Sequence, residues 1–155
     1  MITFTVPGQP QGKGRPRIGK VGDHARMFTP AKTVAYEGLI AHAAQVAMVA
    51  AQAQPFTDAV AVNLFIDCQV PASWSKKKQA EALAGRIFPT TKPDTDNVIK
   101  AVYDGCNGVL WRDDVQVVDG RQRKRYSATP CVRVEVWSLI TPLAEVQPDL
   151  MGAAA

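Results

Sequence analysis

Three stretches of this chain alternate apolar and polar side chains with a period of two: residues 2–6 (ITFTV), 59–70 (AVAVNLFIDCQV) and 131–139 (CVRVEVWSL). In an extended segment that period puts every apolar side chain on one face, so each stretch predicts a strand buried on one side only. Something must cover those faces. An alanine-rich run from about Ala31 to Gln52 predicts a long helix, with Thr29 placed to cap it and Pro30 in its first turn. Strands and helices alternate imperfectly along the chain. The pattern predicts an α+β fold: a two-layer α/β sandwich with a mixed sheet, a single domain over residues 1–139. Residues 140–155, proline-bearing and ending in GAAA, predict a frayed tail.

The segments between fill in the order. Residues 9–30 (QPQGKGRPRIGKVGDHARMFTP) are rich in Gly, Pro and basic side chains; they predict a hairpin turning near Lys20–Asp23, its glycines implying mobility until something binds. Ser73 or Ser75 opens a short helix, SKKKQAEALAG, that Gly85 stops, and the prolines of RIFPTTKP keep that segment extended. A further helix runs from about Asp96 to Asn107, with Val98, Ile99, Val102, Tyr103 and Cys106 at helical spacing. Residues 115–119 and 121–126 read as one long strand or two halves of a bent one, expected to pair with 131–139 in an antiparallel hairpin.

Composition narrows the class. Of 155 residues, 46% are hydrophobic and 21% charged, which excludes wholesale disorder. No stretch approaches the ~18 uncharged apolar residues of a membrane span. At the N-terminus the apolar run precedes the basic one, the reverse of a secretory signal, so the expected location is intracellular and cytoplasmic. Cys68, Cys106 and Cys131 are far apart and odd in number, as suits free thiols in a reducing compartment. Two histidines and no CxxC argue against structural zinc.

The charge map is more specific than the net +4. Asp94, Asp96, Asp104, Asp113, Asp114 and Asp119 face only Lys100 and Arg112 in sequence, a local balance of −4 inside a chain that is otherwise +8. A basic protein with one acidic island suits a metal-dependent enzyme acting on a polyanion. It equally suits a helix and a turn solvated by carboxylates.

Asp94-Thr95-Asp96-Asn97 stands where an extended segment meets a helix start. If Asp96 caps that helix, Lys100 falls one turn later and Asp104 another. Asp113-Asp114 lies in the turn before a strand, and VLWRDD is the return path that would bring Asp114 back to Asp94 and Asp96. Three carboxylates converging beside a lysine would form a hard-oxygen site for Mg²⁺ or Mn²⁺. Taken singly, Asp96 also reads as an N-cap, Asp113-Asp114 as a solvated turn, and Lys100 as a surface ion-pair partner of Asp96 or Asp104. Asn97 reads either as an oxygen ligand or as a helix-start residue.

The run KPDTDNVIKAVYDGCNGVLWRDDVQVVDGRQRKRY resembles the RusA family of Holliday junction resolvases. That family's hallmark is a DxDN segment, a lysine four residues after its second aspartate, an aspartate one turn on, and a DD-x-QV segment. Asp94, Asp96, Asn97, Lys100, Asp104, Asp113, Asp114, Gln116 and Val117 follow that order and spacing, and the likeness extends over about residues 1–138. The resemblance implies metal ligands at Asp94, Asp96 and Asp114, an essential lysine at Lys100, and outer-shell or ligand roles for Asn97, Asp104 and Asp113. It implies Mg²⁺ (Mn²⁺ substituting) as cofactor and no organic one, phosphodiester hydrolysis at four-way DNA junctions, and a homodimer whose twofold axis matches two symmetric nicks. Its members are often carried by phages.

The basic segments suit that role. Lys13, Arg15, Arg17, Lys20 and Arg26 lie on the glycine-rich segment, and Arg121, Arg123 and Arg125 share one face of a strand. A charge-guarded sheet edge is the other reading of that strand. Trp74, Trp111 and Trp137 suit a core or interface better than base stacking, with Trp111 the one nearest the aspartates. The rival functions are a catalytically silent junction-binding protein, a less selective branched-DNA nuclease, and a DxD nucleotide-sugar transferase, for which the chain is short and lacks the βαβ pattern.

Overall fold

The computed structural model of the protein describes residues 1–140; the tail expected from residue 140 lies, from 141 onward, outside the described residues. Four strands form one mixed sheet in the order β1 (Ile2–Pro7), β6 (Cys131–Ser138), β4 (Val60–Gln69), β5 (Val117–Ser127). The alternating stretches behave as their period requires. Ile2, Phe4 and Val6 of β1, Val132, Val134 and Val136 of β6, and Val60, Val62, Leu64 and Ile66 of β4 are all buried in one core. Each such side chain contributes about 1.5–3 kcal/mol by leaving water.

Helix α1 (Ala31–Ala50) supplies Tyr36, Ile40, Ala44 and Met48 to that core, and α3 (Thr95–Cys106) supplies Val98, Ala101, Val102 and Cys106. The result is the expected α+β domain of helices on a mixed sheet. The two helices cross closely at Gly105, where a Cβ would stand 2.9 Å from the Ile40 side chain and 3.0 Å from the Glu37 carbonyl. No helix among the described residues is long and apolar enough to cross a membrane.

The expected hairpin between 115–126 and 131–139 is not formed. β4 lies between those strands, parallel to β5 and antiparallel to β6. Burial explains the arrangement. Val60, Ala61 and Val62 are consecutive and all but inaccessible, as a central strand requires. β5 carries Asp119, Arg121, Arg123, Lys124 and Arg125, whose charges suit an edge. Residues 128–130 carry the chain over the end of β4, where Ser127 stands opposite Gln69 and Cys131 opposite Asp67.

Local signals are followed with small shifts. β2 (Arg17–Val21) and β3 (His24–Phe28) form the expected hairpin, turning at Gly22 with φ +62°, as a separate two-stranded sheet. Thr29 does not cap α1: Pro30 holds the N-cap position, and its carbonyl accepts the N–H groups of Thr33 and Val34. Ser75 caps α2 (Lys76–Leu83) by accepting from the Lys78 N–H at 3.3 Å, and Gly85, with φ +76°, ends it. Residues 114–116 form a turn of 3₁₀ helix, so the following strand is one piece and begins at Val117.

Candidate active site

Asp94, not Asp96, holds the N-cap position of α3, and its side chain makes no capping bond. Its carboxylate instead accepts from the Asn97 side-chain amide at 3.3 Å, which ties Asn97 to Asp94. Asp96 stands in the first turn, where the positive end of the helix dipole favours an anion. Lys100 and Asp104 follow at intervals of four, so Asp96, Lys100 and Asp104 run along one side of the helix. From Asp94 to Asp104 is about 15 Å along the axis. Asp96 and Lys100 are exposed, and among the described residues Lys100 forms no ion pair with either neighbour.

The second carboxylate pair is held by its own turn. The Asp113 side chain caps the 3₁₀ turn, accepting from the Val115 N–H at 3.3 Å. Gln116 closes the box: its Oε1 accepts from the N–H groups of Arg112 (2.9 Å) and Asp113 (3.4 Å). Its Nε2 donates to the carbonyls of Phe56 (2.9 Å) and Asp58 (3.1 Å), just before β4. Trp111 precedes this turn by two residues. It is wholly buried, donates through Nε1 to Asn107 Oδ1 at 2.8 Å, and meets Tyr103 edge to face at 5.9 Å. Trp111 is therefore a core residue, with no face free to stack on a base.

Lys13 links the two helices. Its ammonium donates to Asp104 and lies 3.5 Å from Glu37 of α1. The glycines beside it serve close approach. A Cβ on Gly12 would fall 2.9 Å from that of Asn97, and one on Gly14 would fall 2.9 Å from Thr33 Oγ1. The Lys13 N–H donates to the Asn97 carbonyl and the Gly14 N–H to Thr33 Oγ1, each at 2.9 Å.

Electrostatics draws these groups together. The Asp114 carboxyl is held above its ordinary value by partial burial first, then by the neighbouring Asp113 carboxylate and by Asp104; Lys13 opposes the shift. The Tyr103 hydroxyl is raised by burial and by the Asp114 charge. Lys13 is itself raised, chiefly by its hydrogen bond to Asp104. Asp104, Asp113, Asp114 and Lys13 thus share one neighbourhood. Among the described residues, no three His, Cys, Asp or Glu side chains are gathered into a metal-holding group. The expected convergence of Asp94, Asp96 and Asp114 is therefore not formed here, yet the donor chemistry suits a hard divalent cation: all three offer carboxylate oxygens, and the raised Asp114 carboxyl would gain from a positive charge beside it.

The basic residues fall into two groups. Arg15, on the strap between β1 and β2 (residues 8–16), and Arg17, Lys20 and Arg26, on the hairpin, are exposed, whereas the Lys13 ammonium points at carboxylates. Arg121, Arg123 and Arg125 stand opposite Asn63, Phe65 and Asp67 across the β4–β5 pair. Gly120 faces Tyr103 of the helix layer, so these arginines occupy the other face of the sheet.

Several contributors escape a reading of motifs alone. Arg133 and Arg123 flank the Phe65 ring at 4.0 and 5.0 Å, adding a fourth arginine to that face. The signal was present, since alternation in 131–139 sets Arg133 opposite Val132 and Val134. A groove of about 780 Å³ between the strap, the start of α1 and the segment before α3 gathers Lys32 and Lys92 with Lys13, Arg15, Arg17 and Asp94. Lys32 and Lys92 are isolated in sequence and only the fold brings them there.

Comparison with known proteins bears directly on this arrangement. The sequence model of the family described as Endodeoxyribonuclease RusA matches residues 7–137. An uncharacterized protein of Bacillus subtilis (strain 168), YqaN, is 39% identical over 140 residues, 87% of this chain and 94% of its own length. The matched span takes in the strap, both carboxylate pairs, the pinning glutamine and all four strands of the sheet except most of β1. The chain belongs to the RusA family of endodeoxyribonucleases.

Proposed function

We propose that this nuclease resolves Holliday junctions by paired symmetric nicks, as a Mg²⁺-dependent homodimer. The observation that carries the reading is the Asp94–Lys100 segment at the start of α3, within one family-matched span with the pinned Asp113-Asp114 turn. Asp94, Asp96 and Asp114 would hold the cation, and Mg²⁺ or Mn²⁺ would supply activation of water and stabilisation of the leaving 3′ oxygen. Lys100, exposed and unpaired among the described residues, is available to a scissile phosphate, where a fixed ammonium stabilises charge that develops in the transition state. The fourfold arginine face and the basic groove supply phosphate contacts that orient the arms. Two cuts related by symmetry call for two sites related by a twofold axis, which is the argument for the dimer.

The test is a nicking assay with and without Mg²⁺ on a synthetic four-way junction, beside flap, fork and duplex substrates, with the mass of the active species measured in solution. Paired nicks on the junction alone, made by a dimer, are the expected result. Binding without nicking would mark a silent junction-binding protein, and equal cutting of flaps a less selective nuclease.

A further inference from the structure

The β2–β3 hairpin forms a sheet of its own, apart from the main one, yet it carries Arg17, Lys20 and Arg26. Its position relative to the carboxylates is set by its two attachments, the start of α1 on one side and the strap before Arg17 on the other. The strap is fastened at Gly8, whose N–H reaches the Pro130 carbonyl at 3.1 Å, and again at Lys13 and Gly14. At that second point the lysine ammonium sits between Asp104 of α3 and Glu37 of α1. A side chain at Gly12 or Gly14 would press on Asn97 or on Thr33 and Pro30, so the strap lies close against both helices, with the Lys13 ammonium on Asp104 and Glu37.

We propose that Lys13 is a positioning residue: its ion pair with Asp104 and Glu37 latches the strap to α1 and α3 and so places the basic hairpin beside the carboxylates. Lys13 is then no phosphate contact, although it lies in the most basic stretch of the chain. The latch acts through charge. An ammonium between two partly buried carboxylates holds more firmly than an exposed pair, which alone is worth little. The consequence for DNA rests on the junction-binding role proposed above; the latch itself does not.

The experiment reads amide hydrogen exchange at Lys13 and Gly14 in the metal-free protein, with β4 amides as the control for global folding. Asp104→Asn touches neither amide, is nearly isosteric and lies at a partly exposed site. Asp104→Asn and Lys13→Met should each lower protection of the Gly14 amide at least ~10-fold, with β4 unchanged, and Lys13→Arg should retain it. The double variant should lose no more than Lys13→Met alone, because the Asp104 interaction acts through that ammonium. Unchanged protection in Asp104→Asn overturns the latch, as does equal loss in Lys13→Met and Lys13→Arg, which would leave packing as the fastening.

Four-way junction binding in EDTA across a salt series supplies the second readout. Lys13→Met and Asp104→Asn should lower the slope alike, since both release the hairpin; a slope lowered by about 0.9 in Lys13→Met alone would make Lys13 a phosphate contact and also overturn the proposal. A wild-type protein that never nicks or binds junctions would defeat the resolvase reading while the exchange result still decides the latch.

Discussion

The side-chain amide of Gln116 donates to the Phe56 carbonyl at 2.9 Å, and this bond ties the turn bearing Asp113 and Asp114 to the chain entering β4. The same side chain accepts from Arg112 and Asp113, so one residue sets both the shape of the turn and its place against the sheet. Gln116→Leu should slow single-turnover nicking at least ~10-fold through misplacement of the carboxylates, with metal-free junction affinity unchanged. Wild-type rates would show that the turn keeps its position without the bond.

Asp94→Asn, Asp96→Asn and Asp114→Asn should each abolish nicking, a loss of at least ~100-fold, and leave junction binding intact or tighter. Each removes a charge that would hold a cation and that repels phosphate. Nicking and gel-shift titrations in parallel check this, and an unaltered rate removes that aspartate from the site.

The arginine face predicts a salt effect. Arg121→Ala, Arg123→Ala and Arg125→Ala together should weaken junction binding and flatten its log–log salt dependence by about 0.9 for each lost phosphate contact. An unchanged slope would show that this face of the sheet meets solvent in the complex.

Lys100 stands apart from its acidic neighbours, which predicts a role toward substrate. Lys100→Ala should bind junctions normally yet cleave at least ~100-fold more slowly at every Mg²⁺ concentration, comparable to the loss of one oxyanion donor. Full recovery of the rate at high Mg²⁺ would make Lys100 a counter-charge to Asp94, Asp96 and Asp114.

Asp114 predicts a pH effect on stability. Its native carboxyl lies above the ordinary value of 3.8, first through burial and then through Asp113 and Asp104. A raised value favours the protonated native state, so its contribution to stability is complete below the unfolded value and is lost as pH rises through the native one. Metal-free Asp114→Asn should therefore melt higher than wild type at neutral pH, the gap closing as acid protonates Asp114. Thermal melts from pH 3 to 7 measure it; a constant gap would deny the repulsion.

Much of the fold was legible because local periodicity and burial coincide. Ile2, Phe4, Val6 and the valines of 131–136 alternate, and one face of each strand is buried as the alternation demands. Gly22 and Gly85 mark turns through positive φ, which needs no tertiary information. The DxDN and DD-x-QV segments likewise declare themselves, since their residues are close in sequence.

Pairing was not legible in this way. Alternation in 115–126 and 131–139 states that two strands exist, not which edges meet; β4, with Val60, Ala61 and Val62 all buried, takes both, and β6 in turn lies between β4 and β1. The same limit applies at Lys13, which in sequence is one of five basic residues in a glycine-rich stretch. Its partners Glu37 and Asp104 lie 24 and 91 residues away. A sequence determines what each residue prefers from its own neighbours: period, caps, turns and the presence of carboxylates. Only the folded chain decides which distant charges meet, because that depends on how α1 and α3 cross at Gly105 and on the narrow space left there for a strap without side chains at Gly12 and Gly14.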